Sequence, residues 1–316
     1  MTYQDIDIPL PAFIAIDWTG MTLALIPIIL RFWLRFRQTR PRTLTHNISD
    51  GLVLLSWLSG MVLISINTWK NSLRQSFIHL PPDELYYGVP LPLSANLLYI
   101  SWISLFFIYI SLWAAKFSLL ALFSNALRLM ETRAARLMLI CASVFTGATF
   151  VLHMVLLSAW CSPVSSNWNT SGHLCSAVHD FTSVSISTAA NIATDLVILT
   201  LPLFALFTMG QERRAITSFQ ANLGKAEISG IIFVLCMAAL SVIAALARWV
   251  TLLLVRNAPK ADITHTIDVW ALVEIVASLA AACLPSLRSF VRKRREGHQR
   301  RPAIDEPERK EYLCLF

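Results

Sequence analysis

Long apolar runs separated by short polar stretches dominate this chain, at residues 12–33, 51–69, 96–124, 137–160, 181–209, 228–254 and 267–291. At about 1.5 Å per residue, such runs match the hydrocarbon core of a bilayer, about 30 Å thick. Backbone groups in lipid must bond within their own segment, so the pattern predicts an all-α bundle of seven transmembrane helices. The third run carries a single charge, Lys116. Its length suits a central helix, and its lysine must find a partner in the bundle or reach an interface.

Composition agrees. The chain is 56% hydrophobic and 14% charged, with mean hydropathy +0.60, whereas a soluble domain is about 25% charged. The net charge of +7 does not indicate nucleic acid, because the basic residues fall between the apolar runs and in the tail, where membrane topology accounts for them. Residues 1–11 hold Asp5 and Asp7 but no Lys or Arg, so they lack the basic start of a cleaved signal peptide. Arg35, Arg37, Arg40 and Arg42 follow the first run, and Arg128, Arg133 and Arg136 follow the third. With seven spans, nineteen basic residues fall on one side, counting Arg288 at the inner end of the seventh, and four on the other, leaving Arg31, Lys116 and Arg248 deeper inside spans. The positive-inside rule then sets the N-terminus outside and the C-terminus in the cytosol. The expected organisation is an extracellular segment over 1–11, a transmembrane domain over 12–291 and a basic, disordered cytosolic tail over 292–316. Plasma membrane and endomembrane are not distinguished.

The loop 161–175 is the most informative connection. Cys161 and Cys175 bracket it on the non-cytosolic face, where oxidising conditions predict a disulfide between them, two free thiols being the alternative. Asn169-Thr170-Ser171 is a glycosylation sequon in the same loop, and its closeness to the membrane leaves occupancy open. Cys141, Cys236 and Cys283 lie in spans and are expected to be packing residues.

Polar residues inside the spans are the candidate chemistry. Thr188, Asn191 and Asp195 recur at spacings of three and four, which puts them on one helix face, turned to the bundle. Lys116 is a candidate partner for Asp195. Asp50, at the inner end of the second span, competes for the same lysine, and a snorkelling lysine beside a structural aspartate is the bland alternative. A second candidate ion pair joins Arg248 to Glu274, because each sits about 9 to 10 Å below the same face on consecutive helices. His153 alone among the histidines is well inside a span, so no metal site is expected.

Several segments together resemble a known family: the arginine-rich first loop ending in Ser49-Asp50, the run Lys116-Phe117-Ser118-Leu119-Leu120, Cys161-Ser162-Pro163-Val164 with Trp168 and Cys175, the stretch from Asp195 to Pro202, and Val273-Glu274 with Cys283-Leu284-Pro285. In order and spacing they resemble the fungal rhodopsin-domain family of integral membrane proteins, which includes the membrane protein of the satratoxin cluster. The resemblance implies a seven-helix, multi-pass fold. It also implies kinship with heptahelical receptors or with clusters that make secondary metabolites. Many relatives carry a paired acidic DD where this chain has Ser49-Asp50, and a GxGxH after the second span where this chain has only Gly88.

Retinal is not expected, since the seventh run contains no lysine for a Schiff base and Lys116 is the only lysine in any predicted span. Three function classes remain. The favoured one is receptor-like sensing of a small or lipophilic ligand, with the basic loops meeting a cytosolic signalling partner. The alternatives are a membrane-embedded enzyme or accessory protein of a secondary-metabolite pathway, using Asp195, Glu274 or Asp50 as acid or base, and a transporter.

Overall fold

The computed structural model describes residues 8–37, 44–128, 133–170, 175, 180–215, 225–255 and 266–299. These form seven helices: α1 (Leu10–Phe36), α2 (Leu44–Gln75), α3 (Leu91–Arg128), α4 (Arg133–Ala159), α5 (Phe181–Ala215), α6 (Lys225–Val255) and α7 (Thr266–Gln299). Each contains a stretch long and apolar enough to cross a membrane. The fold is an all-α seven-helix bundle. Its burial is that of a protein solvated by lipid: Leu23, Ile26, Val144, Val151 and Ile243 are exposed, while Ser56, Ser111, Thr146, Asn191 and Glu274 are enclosed.

α3 packs against α2, α4, α5 and α7, and α7 packs against α6, α1, α3 and α2. These two helices are the axis of the bundle. The apolar core joins them through Leu112, Trp113, Ile275 and Leu279, with Met21 from α1 and Ile64 from α2. Small residues let the helices approach closely. A Cβ on Gly60 would lie 2.6 Å from the Met21 Cε, and one on Gly20 would lie 2.9 Å from a Leu272 methyl.

Several boundaries differ from the apolar runs. α2 continues to Gln75, so Lys70 and Arg74 lie in a helix and not in a loop, and Lys116 is not the only helical lysine. No breaker interrupts the chain there before Pro81, and the polar side chains Asn67, Lys70 and Asn71 turn inward. The proline-rich connection folds as a hairpin, β1 (Leu85–Tyr86) with antiparallel β2 (Val89–Pro90). Its two turn residues, Tyr87 and Gly88, both have positive φ, as a two-residue hairpin loop of this hand requires. α3 then starts at once, with Pro92 in its first turn, where a missing N–H costs nothing.

At the other end, α7 runs on to Gln299, so residues 292–299, expected to be disordered tail, are helical. Between 292 and 299 the sequence has no proline to stop the helix. Residues 300–316 lie outside the described part, as do 1–7.

Alternating helix direction gives the bundle two chemically distinct ends. One carries the hairpin and the 161–175 loop and is called here the disulfide end. The other carries Arg35, Arg37, Arg133 and Arg136 and is called the basic end.

Candidate functional site

Helical spacing on α5 sets Asn191 and Asp195 one turn apart on the face that meets α3, α6 and α7. Both are buried. From α3, the Lys116 ammonium reaches three acceptors: Asp195 Oδ1 at 2.8 Å, Asn191 Oδ1 at 2.7 Å and the Asn191 carbonyl at 3.1 Å. Its three N–H groups are thus matched, and the Trp113 ring lies 4.8 Å from Nζ. Asp195 Oδ2 accepts from the Ser241 hydroxyl of α6 at 3.1 Å.

The network continues through Asn191, whose Nδ2 donates to Glu274 Oε1 on α7. Glu274 Oε2 lies 3.4 Å from Arg248 Nη2 on α6. The Arg248 guanidinium also meets the Tyr109 hydroxyl, which is 2.8 Å from the Ser187 hydroxyl. Two cations and two anions are therefore linked across α3, α5, α6 and α7 by the single side chain of Asn191. Thr188 is buried on the same face of α5 and joins none of these bonds.

A cavity of about 30 Å³ adjoins the Lys116–Asp195 pair, bounded further by Phe123, Met237, Ser241 and Ser278. That is room for a water molecule.

Asp50 does not compete for Lys116. It sits at the basic end, where Arg31 Nε lies 2.8 Å from its Oδ1 and Arg35 pairs with its Oδ2. Arg31, fully enclosed, also donates to the Ala282 carbonyl of α7 at 2.6 Å and to the Ser49 hydroxyl at 2.7 Å. The Ser49 hydroxyl lies 2.8 Å from that of Ser118 on α3. One arginine thus joins α1, α2 and α7, and through Ser49 reaches α3. The sequence offered Arg31 as a charge in an apolar run, but nothing local to it specifies partners 18 to 251 residues away.

His153 joins α4 to α5, with its ring nitrogens 2.6 Å from the Thr149 carbonyl and 3.1 Å from the Ser187 carbonyl. Among the described residues, no group of three or more His, Cys, Asp or Glu side chains is placed to hold a metal.

At the disulfide end, Cys161 and Cys175 are bonded, with a Cα separation of 5.8 Å. The loop they close is pinned to α3 by Trp168, whose ring lies 4.9 Å from Tyr99 and 5.4 Å from Trp102. Asn169 is exposed on it. Of the remaining cysteines in spans, Cys283 packs in the core, whereas Cys141 and Cys236 face outward and are not interior packing residues. Asp180 caps α5, accepting from the Thr182 and Ser183 amides at 2.7 and 3.3 Å.

What this arrangement does chemically follows from its cost. Desolvating four charges costs several kcal/mol each, and apolar packing of the same volume would often serve stability equally well. A network of this kind inside a membrane protein is by default a candidate functional site. In comparisons with known proteins, the family model of the fungal rhodopsin domain matches residues 30–293. No curated protein and no solved structure matches.

Proposed function

The chain belongs to the fungal rhodopsin domain family and is an integral multi-pass membrane protein, and from that premise we propose that it is a receptor-like sensor of a small or lipophilic ligand. The observation that carries this reading is the linked set Lys116, Asp195, Asn191, Glu274 and Arg248, which ties four helices together through buried polar contacts. Packed interiors switch between discrete arrangements and do not deform smoothly. A ligand that enters beside Lys116 and Asp195 opens the small cavity there, exchanges one of these contacts and moves α5 and α6 against α3 and α7.

In this reading the disulfide end faces away from the cytosol, which the oxidising chemistry of Cys161–Cys175 favours, and Asn169 is available there for glycosylation. The basic end faces the cytosol, offering its arginines to a signalling partner. In this reading sensing uses no retinal, since α7 has no lysine between Thr266 and Cys283. Asp195, Glu274 and Asp50 each face a cation, which favours sensing over acid–base catalysis.

The test is a deletion strain restored with the wild-type gene or with Asp195→Asn. Sensing predicts a lost response to an external cue, an unchanged metabolite profile, and rescue by wild type only. An altered pattern of pathway intermediates with responses intact would overturn it in favour of a metabolic role.

A further inference from the structure

At the disulfide end, α1, α2 and α7 enclose a second polar cluster, separate from the network above. Asp17 of α1 is 1% exposed, and α2 turns Asn67, Lys70 and Asn71 toward it, each at 6% or less. Arg74, one turn further along α2, points away, donating to Asn71 Oδ1 at 3.0 Å and to the Tyr87 carbonyl of the hairpin at 3.2 Å. From α7, Asp268 is the charged group facing Asp17.

Two atoms in this cluster lack what burial demands. Asp17 Oδ2 and Asn67 Oδ1 are both enclosed and neither has a hydrogen-bond partner. Each such orphan in a folded protein costs about 1 to 3 kcal/mol and calls for an explanation. Both atoms are acceptors, so the missing element is a donor. The Asn67 side chain lies beside the Asp17 carboxyl, so one donor placed between the two side chains can satisfy both orphans. Lys70 is not that donor, because no described ion pair joins it to Asp17. A ligand of any size needs a path and a volume that a carboxyl at 1% exposure does not offer. A proton needs neither.

We propose that Asp17 is a proton-binding site: the folded protein holds it as the neutral acid, with its hydroxyl on Oδ2 donating to Asn67 Oδ1. One hydrogen then satisfies both orphaned atoms. The charges of the neighbours fit this assignment. Asp268, partly buried at the start of α7, is close enough to Asp17 for two carboxylates to repel, and a neutral Asp17 leaves Asp268 as a counter-ion for Lys70. The bound proton thereby links α1 to α2 beneath the first turn of α7. This site stands independently of the sensing function proposed for the Lys116 network.

Infrared spectroscopy of the full chain in lipid nanodiscs tests it. The carboxylic-acid C=O stretch of the wild type is expected to lose one component in Asp17→Asn, an isostere of the neutral acid that keeps the fold, and the carboxylate bands are expected to stay unchanged. Loss of carboxylate intensity with the acid band intact would show an ionised Asp17, satisfied by water or by Lys70, and would overturn the proposal. Should Asp17→Asn not fold, the wild type labelled with carboxyl-¹³C aspartate replaces it. The acid band shifts if an aspartic acid contributes to it, and an unshifted band would refute the assignment.

Discussion

Arg31 uses all three nitrogens of its guanidinium fork: Asp50 takes Nε, Ala282 takes Nη1 and Ser49 takes Nη2. A point charge on a flexible stem cannot reproduce that geometry. We therefore expect Arg31→Met to destabilise the purified protein by about 3 to 5 kcal/mol, the usual loss when one partner of a buried pair is removed. Arg31→Lys should recover only part of it. Unfolding in detergent followed by helical signal measures both, and an Arg31→Met protein as stable as wild type would show that this junction carries little. How far such sites can be read from sequence depends on whether their partners share a local signature. Asn191 and Asp195 were legible because helical spacing alone puts them on one face. Arg248 and Glu274 could be matched in depth because they lie on consecutive helices with a short connection, and they are 3.4 Å apart. Asn191 as the link to Glu274, Ser49 beneath Arg31, and Asn67 beside Asp17 were not legible, since each contact joins helices whose rotation about their axes the sequence does not specify.

At the scale of elements, hydropathy located every helix and misjudged where several of them end. The reason is physical. A window of apolar residues reports what lies in hydrocarbon, whereas a helix continues through polar residues as long as its backbone bonds can still be made. α2 therefore outruns its apolar stretch through Lys70 and Arg74, and α7 outruns its own through residues 292–299. The connection between α4 and α5 is held differently, by the Cys161–Cys175 bond and by Trp168 packed on α3. Closing a loop of this size removes about 3 kcal/mol of unfolded-state entropy in the chain-entropy model. Replacing both cysteines with serine should lower the apparent stability by a comparable amount and leave the helix content unchanged. In the wild type, alkylation without reductant should leave both thiols unmodified; reaction at both would show that the bond does not form.

The whole molecule is a lipid-solvated bundle whose polar interior carries its specificity. The apolar core would hold seven helices in several rotational settings, whereas a chain of matched donors and acceptors fixes one. Lys116 of α3 and Arg248 of α6 do not touch, yet Asp195, Asn191 and Glu274 connect them. If these groups act as one unit, disturbing one end already relaxes the other. If they are two separate pairs that happen to lie close, each loss is independent. A double-mutant cycle decides between these, with unfolding free energies measured for Lys116→Met, Arg248→Met and both together in the full chain. The single substitutions should each cost about 3 to 5 kcal/mol, and the double should fall short of their sum by about 0.5 to 3 kcal/mol, the range for residues in one network. Additivity to within about 0.5 kcal/mol would contradict a connected core and reduce it to two unrelated ion pairs.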